Sequence, residues 1–223
     1  EKLYNLYMEV LRQEDGWKDM IWNEVKEKLE DMNKKVNDFQ ISANKVDSKF
    51  FEALNSKKNE LQNLKDLVQR LMNALESFGY LTNDALEDIH WADVAELLNV
   101  KEVANAKSDG GIFKCKVLFD AKIDEFRNQL EDIEATAKTQ FKVKAQLDNV
   151  EDTLRTKEFA FVAHPTRTNI WLLNSIEFLK IKQDLEDKSA MIAGMKAQAS
   201  KLTKEIIARI KLKETQFQTI LNN

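Results

Sequence analysis

Two histidines, one cysteine and a few acidic clusters are the residues of this sequence that could do chemistry. His90 and His164 could act in a catalytic triad or as metal ligands. Each role needs partners at fixed spacing, such as a second ligand one helical turn away. Neither histidine has a second His or Cys at ligand spacing, and they stand far apart in the chain. Packing or surface exposure is the default for both. A lone cysteine forms no internal disulfide and no cysteine-based zinc site, and it fits a reducing compartment. Carboxylates such as Glu131-Asp132 and Asp184/Glu186/Asp187 lie among lysines, which reads as solvated helix face rather than a general acid and base.

Other chemistries lack their motifs. The glycines stand singly or as Gly110-Gly111, so neither a P-loop nor a dinucleotide fingerprint occurs. Lys34-Lys35 and Lys57-Lys58 are balanced by acids and lack interleaved aromatics, so single-strand nucleic-acid binding is not expected. The net charge of −4 is mild and spread out, without the basic face of a nucleic-acid binder. No apolar run approaches the roughly 20 residues that span a bilayer. No cofactor, metal, nucleic acid or membrane is expected, and the sequence does not read as an enzyme.

The elements that position these residues are helices. Of 223 residues, 32% are charged and 43% hydrophobic, with five glycines and one proline, a composition of long amphipathic helices. Residues 1–13 read as helix and Glu14-Asp15-Gly16 as a break. A second helix from about Asp19 carries Trp22, Val25, Leu29, Met32, Val36 and Phe39 in steps of three and four. A turn is expected at 41–47. A third helix carries Leu54, Leu61, Leu64, Val68, Leu71, Leu75 and Phe78, a narrow stripe suited to antiparallel knobs-into-holes packing. Gly79 is expected to cap it. Thr82-Asn83-Asp84 then supplies a helix start, with Glu87 placed for a capping box on Asp84. His90 and Trp91 lie on that short helix. Residues 99–111 read as a loop and as the most flexible segment. A long helix is expected from Phe113 to Lys157, on the order of 65–70 Å.

Residues 158–174 break the pattern. Phe159, Phe161 and Ala163 alternate with Ala160, Val162 and His164, and Trp171 and Leu173 with Ile170 and Leu172. The chain's one proline, Pro165, stands in the polar link between them. Two β-rich runs joined by such a link predict a hairpin. A lone hairpin is marginal in water, so Phe159, Phe161, Trp171 and Leu173 are expected to dock it on a partner surface. On that reading Phe161→Asp would bury a charge and cost several kcal/mol. Asn174, with Glu177 three residues on, is expected to cap the last helical region. Leu185, Ile192, Met195, Ala199, Leu202 and Ile206 continue its stripe.

The expected fold is therefore mainly α, an elongated bundle of long antiparallel helices with one short β-hairpin near 158–174. The expected division is 1–99 as an N-terminal bundle, 100–112 as a loop, and 113–223 as long helix, hairpin and C-terminal helices, forming one linker-like unit. Both ends fall inside helical patterns, so the sequence reads as a piece of something larger.

In three places the residues resemble the N-terminal part of the linker region of dynein heavy chains, between tail and AAA+ motor ring. The opening Leu3-Tyr4-x-Leu6-Tyr7, followed by Trp17 and Trp22, is similar to that region's start. Asn83 and Leu86 followed by His90-Trp91 resemble its N-x-x-L-x-x-x-H-W turn and helix. Ile133, Ala137, Val143, Leu147, Val150, Phe159 and Phe161 fall in register with its long apolar pattern ending F-x-F. The sequence departs from the pattern at Leu154, where tryptophan is usual, and at Gln140 and Lys144, where glutamates are. Leu202, Ile206 and Lys213 replace aromatics.

The resemblance implies a non-catalytic mechanical segment that passes the ATP-driven change of a downstream ring to the tail, in microtubule-based movement. Its implied partners are the remainder of the heavy chain, with dynein intermediate or light chains as further candidates. Its implied location is the cytoplasm and cytoskeleton, with the axoneme of cilia or flagella as the leaning. An unrelated cytoskeletal tether or scaffold is the alternative. A pore-forming toxin fits poorly, because the hairpin tip is polar. The interaction candidates are His90, Trp91, Phe159, Phe161, His164, Trp171 and Leu173.

Overall fold

The computed structural model describes residues 2–46, 58–156, 158 and 160–222. Leu54, Lys157 and Phe159 lie outside the described residues, as do the side chains of Leu154 and Leu173. The fold is mainly α, with one two-stranded antiparallel sheet. The helices are α1 (Lys2–Asp19), α2 (Trp22–Lys45), α3 (Lys58–Leu81), α4 (Asp88–Leu98), α5 (Lys116–Asp120), α6 (Arg127–Thr156), α7 (Ser175–Lys196) and α8 (Lys204–Asn222). The strands are β1 (Phe161–Ala163) and β2 (Trp171–Leu173). The chain divides into two compact units, Glu1–Ala137 and Lys138–Asn223.

In the first unit the predicted stripes are the core. Trp22, Val25, Met32, Val36 and Phe39 of α2 are buried, as are Leu61, Leu64, Val68, Leu71, Leu75 and Phe78 of α3. Trp22 opens α2 and meets Phe78 near the end of α3, ring centroids 5.2 Å apart, so the two helices run antiparallel. Each fully buried large side chain contributes about 1.5–3 kcal/mol.

Several boundaries differ from the sequence reading, and packing explains them. Helix α1 runs straight through Glu14-Asp15-Gly16. Trp17 is buried just beyond Gly16, and Glu14 is buried against Lys18 (3.0 Å) and Arg70 (2.7 Å), which together hold the helix past its weak residue. Helix α2 continues to Lys45 because Ala43 is buried. Helix α3 passes Gly79 and ends at Leu81, itself buried.

The expected helix over 113–157 is broken. Lys122 adopts a left-handed conformation at φ 53°, and a 3-10 turn at Ile123–Phe126 precedes α6. Leu118 and Ile123 are both fully buried. On one continuous helix, residues five apart point about 140° apart, so the chain must kink for both to face the core. The Ser77 hydroxyl, which donates to the Asn73 carbonyl of its own helix at 3.0 Å, lies 3.4 Å from the Ile123 carbonyl at this kink.

The second unit has its own core of Val143, Leu147 and Val150 on α6, Ile181, Leu185, Ile192 and Met195 on α7, and Ile206, Ile210 and Phe217 on α8. The last helical region is two helices, with a 3-10 turn at Ala199–Lys201 between them. Asn174 caps α7 as expected, its side-chain oxygen accepting from the N–H groups of Ile176 and Glu177.

Candidate interaction surface

The seven candidate residues fall into two groups. His90 and Trp91 are buried in the first unit, at 2% and 3% exposure. Helix α4 starts at Asp88, not near Asp84, and Glu87 is its cap. The Glu87 N–H donates to His90 Nδ1 at 3.0 Å, so the histidine performs the reciprocal half of a capping box. Asp84 is instead paired with Lys26. Trp91 packs edge-on against Trp22, which also stacks on Phe113 with planes 10° apart.

Residues 99–111 form a strap tied at both ends, not a free loop. The Asp88 carboxylate accepts from the backbone N–H groups of Lys107 and Ser108 and from the Ser108 hydroxyl. These bonds, the hydroxyl's first, hold its pKa below the usual carboxylate value. Further on, Asn23 donates its N–H to the Gly111 carbonyl and Trp22 to that of Phe113. Cys115 is fully buried, and loss of solvation pushes its thiol up to about 12, which makes it a poor nucleophile.

The second group is the hairpin. Phe161 pairs with Leu173, Val162 with Leu172 and Ala163 with Trp171. The His164 N–H donates to the Ile170 carbonyl, and the Asn174 N–H to that of Ala160. Hydrogen-bonded and non-hydrogen-bonded pairs alternate in an antiparallel ladder. Positions 160, 162 and 164 therefore bond inward, and the backbone groups of Phe161, Ala163, Trp171 and Leu173 point to the two open edges. His164 Nδ1 accepts from the N–H groups of Thr166 and Arg167, both at 3.1 Å, and so shapes the turn. Asn169 completes the turn in a left-handed conformation.

The expectation that Phe161 and Trp171 dock the hairpin is corrected: they are 59% and 67% exposed. Among the described residues the core of the second unit is formed by side chains of α6, α7 and α8, and Phe161 and Trp171 take no part in it. Val162, Ile170 and Leu172 are exposed as well, and so are Ile176, Phe178 and Leu179 in the first turns of α7. Of sixteen large apolar side chains exposed among the described residues, these eight lie between 161 and 179. Apolar residues exposed singly are ordinary on a protein surface, and the share that falls in this short stretch of sequence stands out against that background. Sequence reasoning missed the α7 contribution. The signal was there, since Ile176 and Leu179 stand off the Ile181–Leu185 stripe and had no inward task.

A cleft of about 820 Å³ lies between the ends of α6 and α8, lined by Asp148, Glu151 and Lys213 among others. Arg209 bonds Asp148 at 2.8 Å and Glu151 at 3.0 Å, and the Asp148 hydrogen bond raises its pKa. Two of the cleft's carboxylates, Asp148 and Glu151, are thus paired with a cation. Among the described residues no group of three or more His, Cys, Asp or Glu could hold a metal ion. None of the described helices is long and apolar enough to cross a membrane.

Comparison with known proteins gives two results. Residues 1–223 match the family described as "Dynein heavy chain, N-terminal region 2". The chain is also 21% identical over 196 residues to the "Dynein gamma chain, flagellar outer arm" of Chlamydomonas reinhardtii. That match takes in 87% of this chain but 4% of the relative's length.

Proposed function

Since this chain belongs to the family of dynein heavy chain N-terminal region 2, we propose that it is a non-catalytic mechanical segment of a dynein heavy chain. It carries the conformational change of an ATP-driven ring elsewhere in that chain toward the tail, in microtubule-based movement. One observation supports the reading most. An apolar seam runs through the second unit, from Ile181 to Met195 along α7 and from Ile206 to Phe217 along α8, against Val143, Leu147 and Val150. Interiors packed in this way are stiff and transmit strain, which a load-bearing element requires. The match to a flagellar outer-arm chain favours the axoneme as its place of work.

The test uses the intact heavy chain. Leu147→Ala opens a cavity in the seam and should cost about 2–5 kcal/mol of local stability. Microtubule gliding should slow while ATP turnover is retained. Unchanged gliding, or gliding and turnover lost in the same proportion, would overturn the mechanical role.

A further inference from the structure

We infer that the hairpin turn is a proton-gated element, held closed by the unprotonated Nδ1 of His164 and released when that nitrogen takes a proton. His164 Nδ1 accepts from the backbone N–H groups of Thr166 and Arg167, both at 3.1 Å, and the Thr166 hydroxyl lies 3.3 Å from it. A backbone N–H can only donate, so the closed turn requires the neutral tautomer that carries its proton on Nε2. Farther along the chain, Asn174 builds the same arrangement with Oδ1, which accepts from the N–H groups two and three residues ahead, at Ile176 and Glu177. The two acceptors stand at the same branch of their side chains and differ in one respect. An amide oxygen keeps its lone pairs, whereas an imidazole takes up a second proton in the weakly acidic range.

Protonation replaces the acceptor with a donor that faces two other donors. It also adds a second cation to a turn that already holds Arg167. Arg167 is the one charged side chain of the turn, Pro165–Asn169, and neither β1 nor β2 carries any. The acids Glu158 and Glu177 come in sequence only past the open end of the ladder. Both effects therefore act in one direction. The closed turn holds one proton fewer than the released one, so acid favours release. The consequence reaches the strands, because the His164 N–H closes the ladder on the Ile170 carbonyl, next to the Ala163–Trp171 pair. Turn geometry fixes the register of a hairpin, and two strands by themselves are marginal in water. Release of the turn loosens β1 and β2 together, so the order of the segment that carries the exposed Phe161 and Trp171 follows pH.

The experiment is nitrogen-edited NMR spectroscopy of the intact chain, titrated from about pH 8 to about pH 5. The chain has two histidines, so the ring signals of His164 are assigned by their loss in His164→Asn. They should show an unprotonated Nδ1 at the alkaline end. At the acid end the amide signals of Thr166, Arg167 and Trp171 should move toward open-chain positions. The ratio of closed to open turn should fall by about fivefold or more, the change that one lost hydrogen bond produces. His164→Asn keeps an acceptor in the same place and should stay closed throughout. His164→Ala lacks one and should stay open throughout. The Asn174 cap, read at the amides of Ile176 and Glu177, should hold across the titration. A proton on Nδ1 at the alkaline end, a turn unmoved by acid, or the same acid response in His164→Asn would overturn the inference. So would a His164→Ala turn as closed as that of the unmodified chain.

Discussion

The side-chain amide of Gln140 donates to the Lys201 carbonyl at 2.9 Å and joins α6 to the turn between α7 and α8. The family pattern has glutamate at this position. A carboxylate cannot donate, and residue 140 is only 9% exposed. Gln140→Glu should therefore bury a charge against a carbonyl dipole and destabilise the second unit by about 2–3 kcal/mol. Urea unfolding followed by circular dichroism checks this, and the loss should vanish at low pH, where the new carboxyl is protonated and donates.

Gly111 has φ +65°, and a Cβ there would meet Trp22 Cδ1 at 2.9 Å and the Asn23 nitrogen at 3.3 Å. Gly110, at φ +70°, has nothing within 4 Å. Gly110→Ala should cost about 1 kcal/mol, the conformational term alone. Gly111→Ala should cost about 2–3 kcal/mol, because the clash adds to that term. Equal losses in chemical denaturation would show that the Trp22 contact yields freely.

Glu14 is a buried carboxylate held by Arg70 of α3 and Lys18 of its own helix. Arg70→Met should cost about 1–2 kcal/mol, because a half-exposed partner is lost and Lys18 still compensates the carboxylate. The pair Glu14→Met with Arg70→Met should recover most of that loss, since it removes both desolvation penalties. A double-mutant cycle by thermal melting reads the coupling.

Asp88 makes the strap sensitive to acid. Its folded pKa is depressed below 3.8, chiefly by the Ser108 hydroxyl. The carboxylate's stabilisation is therefore complete above the unfolded value and is lost as pH falls through the folded one. Amide exchange at Lys107 and Ser108, corrected for intrinsic rates, should show protection at pH 6 that fades below about pH 3.8. Asp88→Asn should remove the pH dependence, and a persistent acid transition in that variant would assign it to another group.

Phe161→Asp is expected to be benign. Phe161 is 59% exposed, so the new carboxylate stays hydrated, and the change should lie within about 0.5 kcal/mol. A circular dichroism melt showing a loss of several kcal/mol would mean that the hairpin docks after all.

Much of the candidate surface was legible because local pattern determines it. Alternation from Phe161 to Ala163 and from Trp171 to Leu173, around a proline-containing link, yields a hairpin whatever lies beside it. Asn174 caps α7 because its side chain reaches two N–H groups in its own turn. Docking was not legible, since it depends on whether a distant surface is already closed. Nor was the kink at Lys122, which exists so that Leu118 and Ile123 can both reach the core.

By itself the sequence determined the mainly helical class, the buried stripes of α2 and α3, the hairpin and the family. All of these rest on interactions within a few residues or on a pattern carried along the whole chain. Only the tertiary structure decided that α1 survives Gly16, that α3 outruns Gly79, and that Trp22 gathers Phe78, Trp91 and Phe113 around it. It also left the hairpin exposed. The physical reason is the same in each case. Propensity differences of about 1 kcal/mol at a glycine yield to the burial of a neighbouring Trp or Leu, and burial is set by residues far away in sequence.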